Sequence, residues 1–260
     1  HCEAEDGYDS VEWFANLPWS TGKVGTFGAS YLGWTQWELA PTRPPHLRAM
    51  MPQAIAANLL DRELSGVLRL GRVLWWTANT LSPDLRQRSG GEWGPRTPDD
   101  AGRMWTERDR SKWLWYLPLK EIPDDVIFGL GKHWRRWLAD HVTDYFGFEG
   151  KHRNISVPAL ITTGWYDQQI GSIKHFTGMS LNGNTNVARK GTRLIIGPWT
   201  HAGAEWSSRV GEVDFGSAGS KDFYETANHW FSRWLKNENV APDSCPPIQL
   251  FVMGANKWRG

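Results

Sequence analysis

The chain has 260 residues, 29 Lys and Arg against 28 Asp and Glu, a formal net charge of +1 and 40% apolar residues. That profile belongs to a folded, soluble domain and not to a disordered tail, and the near-neutral charge gives no electrostatic reason to expect a nucleic acid partner. Two cysteines, Cys2 and Cys245, exclude a disulfide framework and an all-cysteine zinc site, and no apolar run approaches the roughly 20 residues of a membrane span.

Asp9 and Glu12 have capping-box spacing, so a helix is expected to start at Asp9, with Val11, Phe14 and Leu17 on its apolar face and Pro18 ending it. Residues 23–27 form a short strand, followed by Gly28-Ala29-Ser30-Tyr31-Leu32-Gly33 and a helix to about Ala40. Residues 47–51 are the next strand, ended by Pro52. Between Ala54 and Tyr145 strand signals vanish. Residues 58–74 and 133–141 read as helices, and residues 82–103, rich in Gly, Pro and charge, as a loop. This stretch is too long for one crossover and reads as a mostly helical cap inserted in an α/β sheet. The α/β rhythm resumes with a strand at 155–162, a loop at 163–167, a helix from Gly171 to Met179, a strand at 192–197 and a loop at 198–203. Phe223, Ala227, Trp230 and Trp234, spaced four, three and four apart, mark a packed helix face. Residues 248–253 are one more strand, expected to open a further domain. The 18 tryptophans imply large aromatic contact surfaces in a core, a pocket or both.

Three strand ends carry the chemistry. The first is Gly28-x-Ser30-x-x-Gly33, close to a nucleophile elbow although its second glycine falls one residue late. A sharp strand-to-helix turn would expose the Ser30 hydroxyl and set the Tyr31 N–H at a developing oxyanion. The second is Asp167 and the third His201. A serine hydroxyl needs a general base near pH 7, an imidazole is that base, and a carboxylate fixes the imidazole tautomer. Ser, Asp, His is the α/β-hydrolase order. Trp165, two residues before the acid, and Trp75 and Trp76 in the cap are candidates for a substrate pocket. Trp199 is expected only to buttress its loop. His46 beside prolines is a structural candidate, and His133, His141 and His152, in or near the cap, lack the spacing of a helical metal site. The pairs Asp99-Asp100 and Asp124-Asp125 read as solvated loops, and Arg135-Arg136 is too small a basic patch for nucleic acid.

The segments 20–37, 45–50, 157–160, 164–167 and 194–201 together resemble the X-Pro dipeptidyl-peptidase (peptidase S15) and cocaine-esterase-like serine hydrolases. The resemblance implies an α/β-hydrolase sheet with a helical cap after the strand that follows the nucleophile helix. It implies Ser30 as nucleophile, Asp167 as triad acid, His201 as base and Tyr31 as an oxyanion donor through its backbone N–H. It also implies that the first sheet strands, a second oxyanion donor (a tyrosine hydroxyl) and a C-terminal jelly-roll domain lie outside this chain. The expected division is 1–53 and 151–241 for the hydrolase core, 54–150 for the cap and 242–260 for the start of the β domain. No metal or organic cofactor is expected. The expected partner is a small ester or short peptide, with no nucleic acid and no membrane span; oligomeric state is open, and so is localisation, with the cytoplasm slightly favoured because the N-terminal part that would carry a signal lies outside this chain. Family substrates include X-Pro dipeptides, amino-acid esters, β-lactam side chains and aromatic esters. A dipeptidyl-peptidase must hold an α-ammonium. Asp61 and Glu63, two apart, would not share a helix face, which favours ester hydrolysis unless another acid such as Glu92 or Asp124 comes close. A non-catalytic binding scaffold is the alternative of another class.

Overall fold

Apolar residues of the strands point alternately to two faces, and helices cover both. The strands are β1 (Val24–Ala29), β2 (Leu47–Gln53), β3 (Leu160–Gly164), β4 (Arg193–Gly197), the short hairpin β5 (Arg209–Val210) and β6 (Val213–Asp214), then β7 (Ile248–Val252) and β8 (Lys257–Arg259). One six-stranded sheet has the order β1-β2-β3-β4-β7-β8; its first five strands are parallel and β8 is antiparallel to β7. On one face Met50, Ile161, Leu194 and Ile196 pack with Val11 of α1 (Glu3–Ala15), Trp34 and Trp37 of α2 (Tyr31–Leu39) and Met179 further along the chain. On the other face Ala49, Met51, Leu160 and Ile195 pack with Trp199, Trp206, Phe223 and Trp230. A parallel sheet covered on both faces needs such doubly buried strands.

The computed structural model describes residues 2–57, 70–90, 94–140, 147–148, 150–167, 170–201, 206–236, 238 and 246–260. The chain divides into two units: His1–Arg62 with Phe146–Gly260, which holds the sheet, and Glu63–Tyr145. The described residues of the second unit contain no strand. They form α3 (Leu70–Trp76), α4 (Ser82–Arg88), α5 (Pro98–Arg103) and α6 (Gly131–Asp140), and have a core of their own from Val73, Leu74, Trp105, Ile122, Ile127 and Trp134. The first unit is completed by α7 (Gly171–Asn182), α8 (Asn186–Gly191) and α9 (Phe223–Lys236).

Several expectations are corrected. Helix α1 starts at Glu3, not at Asp9, and no side chain caps it; Glu3, Glu5 and Asp6 in its first turn complement the helix dipole instead. Phe14 is exposed, and the buried residues of α1 are Val11 and Ala15. Pro52 lies inside β2. Met50 N–H donates to Pro158 O at 3.1 Å and Ala54 N–H to Thr162 O at 2.8 Å, and the rung between them is the one a proline leaves out. Residues 82–103 are not one loop. A π-helical turn at Thr77–Leu81 carries α3 into α4, where Pro83 occupies the first turn, and Thr97 caps α5 with Pro98 at its start. Asp99 and Asp100 therefore stand in a first helical turn. Strand β3 begins at Leu160 and includes Thr163 and Gly164. The 248–252 segment is a strand of the main sheet, parallel to β4. The expected helix at 58–74 is described only from Leu70, and Asp61, Glu63, Glu92, His141 and Cys245 lie outside the described residues.

Candidate active site

Strand β1 ends and α2 begins at Ser30, which adopts φ 58° and ψ −122°. A non-glycine residue in such a conformation costs about 1–3 kcal/mol and persists only when its surroundings hold it. Gly28, at φ 154°, has no room for a side chain: a Cβ there would stand 2.6 Å from Leu32 Cβ. Gly33 faces the end of β2, where a Cβ would stand 2.9 Å from Gln53 O. The glycine that falls late in the motif is the residue at which the first turn of α2 presses on the neighbouring strand. Ser30 N–H donates to Gln53 O at 3.0 Å, and Ser30 O accepts from Gly33 and Trp34 N–H at 2.9 and 3.0 Å. Tyr31 is the first residue of α2, so its N–H lies at the helix N-terminus beside Ser30. Its phenol donates to Glu3 Oε1 at 2.6 Å and thereby holds that carboxyl below its ordinary range.

Asp167 follows β3 and His201 follows β4. Three backbone bonds tie these loops together: Trp165 N–H to Gly197 O (2.9 Å), Tyr166 N–H to Trp199 O (3.0 Å) and Asp167 N–H to Gly164 O (3.0 Å). Gly164 is required here because a Cβ would collide with the Trp199 carbonyl, and Gly197 because one would collide with the Trp199 ring. Trp199 is buried, stacks on Trp206 and donates from Nε1 to Gly219 O at 2.9 Å. The fold brings Ser30, His201 and Asp167 together. His201 Nδ1 lies 3.1 and 3.0 Å from the Asp167 oxygens, and His201 Nε2 lies 2.9 Å from Ser30 Oγ. Because a carboxylate only accepts, Nδ1 carries the proton and Nε2 accepts from the Ser30 hydroxyl. The Asp167 side chain is fully buried, and that of His201 is 30% exposed.

Trp165 is half open to solvent and donates from Nε1 to Phe251 O at 2.7 Å. Trp75 and Trp76 lie on α3, in the other unit. His46 Nδ1 contacts Glu12 Oε2 at 2.7 Å and joins α1 to the start of β2. His152 belongs to the sheet unit and not to the cap: its Nε2 lies 3.0 Å from His175 Nδ1, while His175 Nε2 lies 3.2 Å from Ala56 O. Ala56 O only accepts, so His175 is protonated on Nε2 and accepts from His152 on Nδ1. His175 stacks on Trp37 at 4.0 Å, and burial, followed by the neighbouring His152, pushes its pKa well below the ordinary histidine value. Among the described residues no three His, Cys, Asp or Glu side chains stand together as a metal site, and no helix is long and apolar enough to cross a membrane. His175 and Gln36 take part in this architecture beside Gly164 and Gly197. Only the two glycines, each at a strand end, carried a local signal.

The family model described as X-Pro dipeptidyl-peptidase (S15 family) matches residues 1–203. The cocaine esterase of Rhodococcus sp. (strain MB1 Bresler) is 30% identical to this chain, with 98% of the chain and 44% of the esterase aligned. The chain thus spans less than half the length of that curated relative. Among solved structures, an aminopeptidase from the marine sediment archaeon Thaumarchaeota archaeon superposes with a TM-score of 0.65 at 20% identity, over 99% of this chain and 42% of that one. A CocE/NonD family hydrolase from Staphylococcus aureus superposes with a TM-score of 0.55 at 22% identity, over 95% of this chain and 35% of that one. The two structures share the fold: a mixed α/β sheet with helical insertions, like that of the α/β-hydrolases.

Proposed function

We propose that this chain, which belongs to the X-Pro dipeptidyl-peptidase (S15) family, is the catalytic part of a serine hydrolase that cleaves esters through an acyl-enzyme. The observation that carries the reading is the hydrogen-bonded line from Ser30 Oγ through His201 to the buried Asp167. In the proposed sequence Ser30 Oγ attacks the substrate carbonyl as His201 Nε2 takes its proton. Asp167 holds the Nδ1 proton and stabilises the imidazolium, and the Tyr31 N–H faces the oxyanion. Collapse of the tetrahedral intermediate expels the alcohol, which receives the proton from His201. Water, deprotonated by His201, then attacks the acyl-Ser30 carbonyl, and collapse releases the acid and returns the proton to Ser30.

Ester hydrolysis is the first reading because Trp165, beside the acid, offers an aromatic wall that rewards flat apolar acyl groups. Xaa-Pro cleavage is the second reading, favoured by the family's own description. Among its expected acids only Asp124 is described, and that carboxylate pairs with Arg135 at 2.8 Å. The test is labelling of the intact protein with a fluorophosphonate, peptide mapping of the labelled serine, and kcat/KM for p-nitrophenyl esters against Ala-Pro-p-nitroanilide. Labelling at Ser30, lost in Ser30→Ala without unfolding, with a higher value for the ester, is the expected result. A label on another serine overturns the nucleophile assignment. A higher value for the dipeptide overturns the ester preference. Absence of both labelling and turnover favours the binding scaffold.

A further inference from the structure

We propose that Gln36 is a positioning residue for Ser30, holding the strand-to-helix turn in the conformation that presents the hydroxyl to His201. The proposal rests on the reading of Ser30 as the nucleophile. Gln36 lies on α2 and is 4% exposed. A glutamine amide has two acceptor sites and two N–H donors, and here four bonds use them. Oε1 accepts from Thr26 Oγ1–H in β1 at 3.1 Å and from Met51 N–H in β2 at 3.2 Å. Nε2 donates to Gly28 O at 3.3 Å and to Leu32 O at 2.9 Å. The partners settle which end of the amide is which: the Met51 N–H only donates, and the two carbonyls only accept.

One side chain therefore joins the last strand before the turn, the strand beside it, the glycine that opens the turn and the first turn of the helix. Gly28 and Leu32 flank Ser30 at two residues on either side, and both of their carbonyls are held by one NH2 group. The positive φ of Ser30 depends on how the peptide planes around it are oriented, and Gln36 fixes one on each side. An apolar side chain of the same length would fill the space but leave buried donors and acceptors unmatched. A carboxylate would meet the Gly28 and Leu32 carbonyls as a repulsion, whereas a protonated carboxyl keeps one donor and one acceptor.

The experiment compares Gln36→Met, Gln36→Glu and Thr26→Val with the unmutated intact protein, measuring kcat and KM for a p-nitrophenyl ester across pH, the rate of fluorophosphonate labelling at Ser30, and the folded fraction. In Gln36→Met, kcat and the labelling rate per folded molecule fall at least about ten-fold with little change in KM, the scale expected when a reacting group is misplaced by a fraction of an ångström to an ångström. Gln36→Glu retains activity on the acid side and loses it as pH rises, adding an ionisation to kcat that the unmutated protein and Gln36→Met lack. Should Gln36→Met not fold, Thr26→Val, which removes one partner of the amide, decides: a lower kcat at unchanged KM supports the proposal, and an unchanged kcat overturns it. Labelling at the unmutated rate in the Gln36 variants, or a loss of activity that only follows loss of folded protein, also overturns it. Labelling of the unmutated protein at a serine other than Ser30 refutes the nucleophile reading itself, and this inference with it.

Discussion

Single residues matter most where the chain has no room or one bond orders another. At Gly164 a Cβ would collide with the Trp199 carbonyl, the group that also accepts the Tyr166 N–H and so joins the Asp167 and His201 loops. Gly164→Ala should cost about 1–3 kcal/mol of stability, as overpacking does. It should also slow labelling of Ser30 by more than the unfolded fraction explains; denaturant titration beside labelling rates checks this. On the proposed reading Asp167 acts through His201. In Asp167→Asn an amide N–H can face Nδ1, which puts the imidazole proton on Nε2 and leaves it unable to accept from Ser30. The expected result is an intact fold with kcat lower by a factor on the order of 10⁴, the size of the same change in a serine protease. Near-wild-type turnover in this variant would send the search to another acid. His201→Ala should match Ser30→Ala, and the double variant should be no worse than either single one, because groups that act as a unit lose activity only once.

At the scale of elements, the region read as a loop shows what proline and glycine content conceals. Thr97 Oγ1 accepts from Asp100 N–H at 3.1 Å and donates to Asp100 Oδ2 at 2.8 Å, so residues 97–100 are a helix start written in side-chain chemistry. Pro98 fits the first helical position because no N–H is needed there. Thr97→Ala should destabilise α5 by about 1 kcal/mol. Hydrogen exchange at residues 100–103 should quicken while that of β3 and β4 stays unchanged; equal quickening in the strands would mean that the cap supports more than its own helix. The exit of β2 is an element-scale device of another kind. Ser172 Oγ bonds both the N–H and the carbonyl of Ile55, at 3.3 and 3.2 Å, and Gly171 lies so close to Ala56 and Ala57 that no side chain fits. With His175 on Ala56 O, α7 thus grips the chain where it leaves the sheet.

At the scale of the whole molecule, that grip gives stability a pH dependence. Above the ordinary histidine pKa of about 6.5, His175 is neutral in both the folded and the unfolded chain, and its full contribution to stability is present. As pH falls through that value the unfolded chain takes up a proton that the folded chain refuses, because burial holds the folded-state pKa well below it. Stability is therefore lost toward acid, by up to about 1.4 kcal/mol per pH unit from this group. Urea midpoints measured between pH 7.5 and 5 should fall, and His175→Gln, although less stable at neutral pH, should show a shallower fall. An equal slope in the variant would assign the acid sensitivity to other groups.

What the sequence determined by itself was local. Strand cores, the serine turn, the alternation of helix and strand and the candidates Ser30, Asp167 and His201 were legible because glycine, proline and apolar period act within a few residues of themselves. What only the tertiary structure decided depends on neighbours distant in sequence. Pro52 stays in its strand because the rung it omits can be spared, β7 joins the sheet because β4 lies open beside it, and His175 is neutral because Trp37 and His152 bury it. The meeting of Ser30 with His201, 171 residues apart, belongs to the same class. Hydrogen bonding and burial are properties of the packed chain, and no single segment carries them.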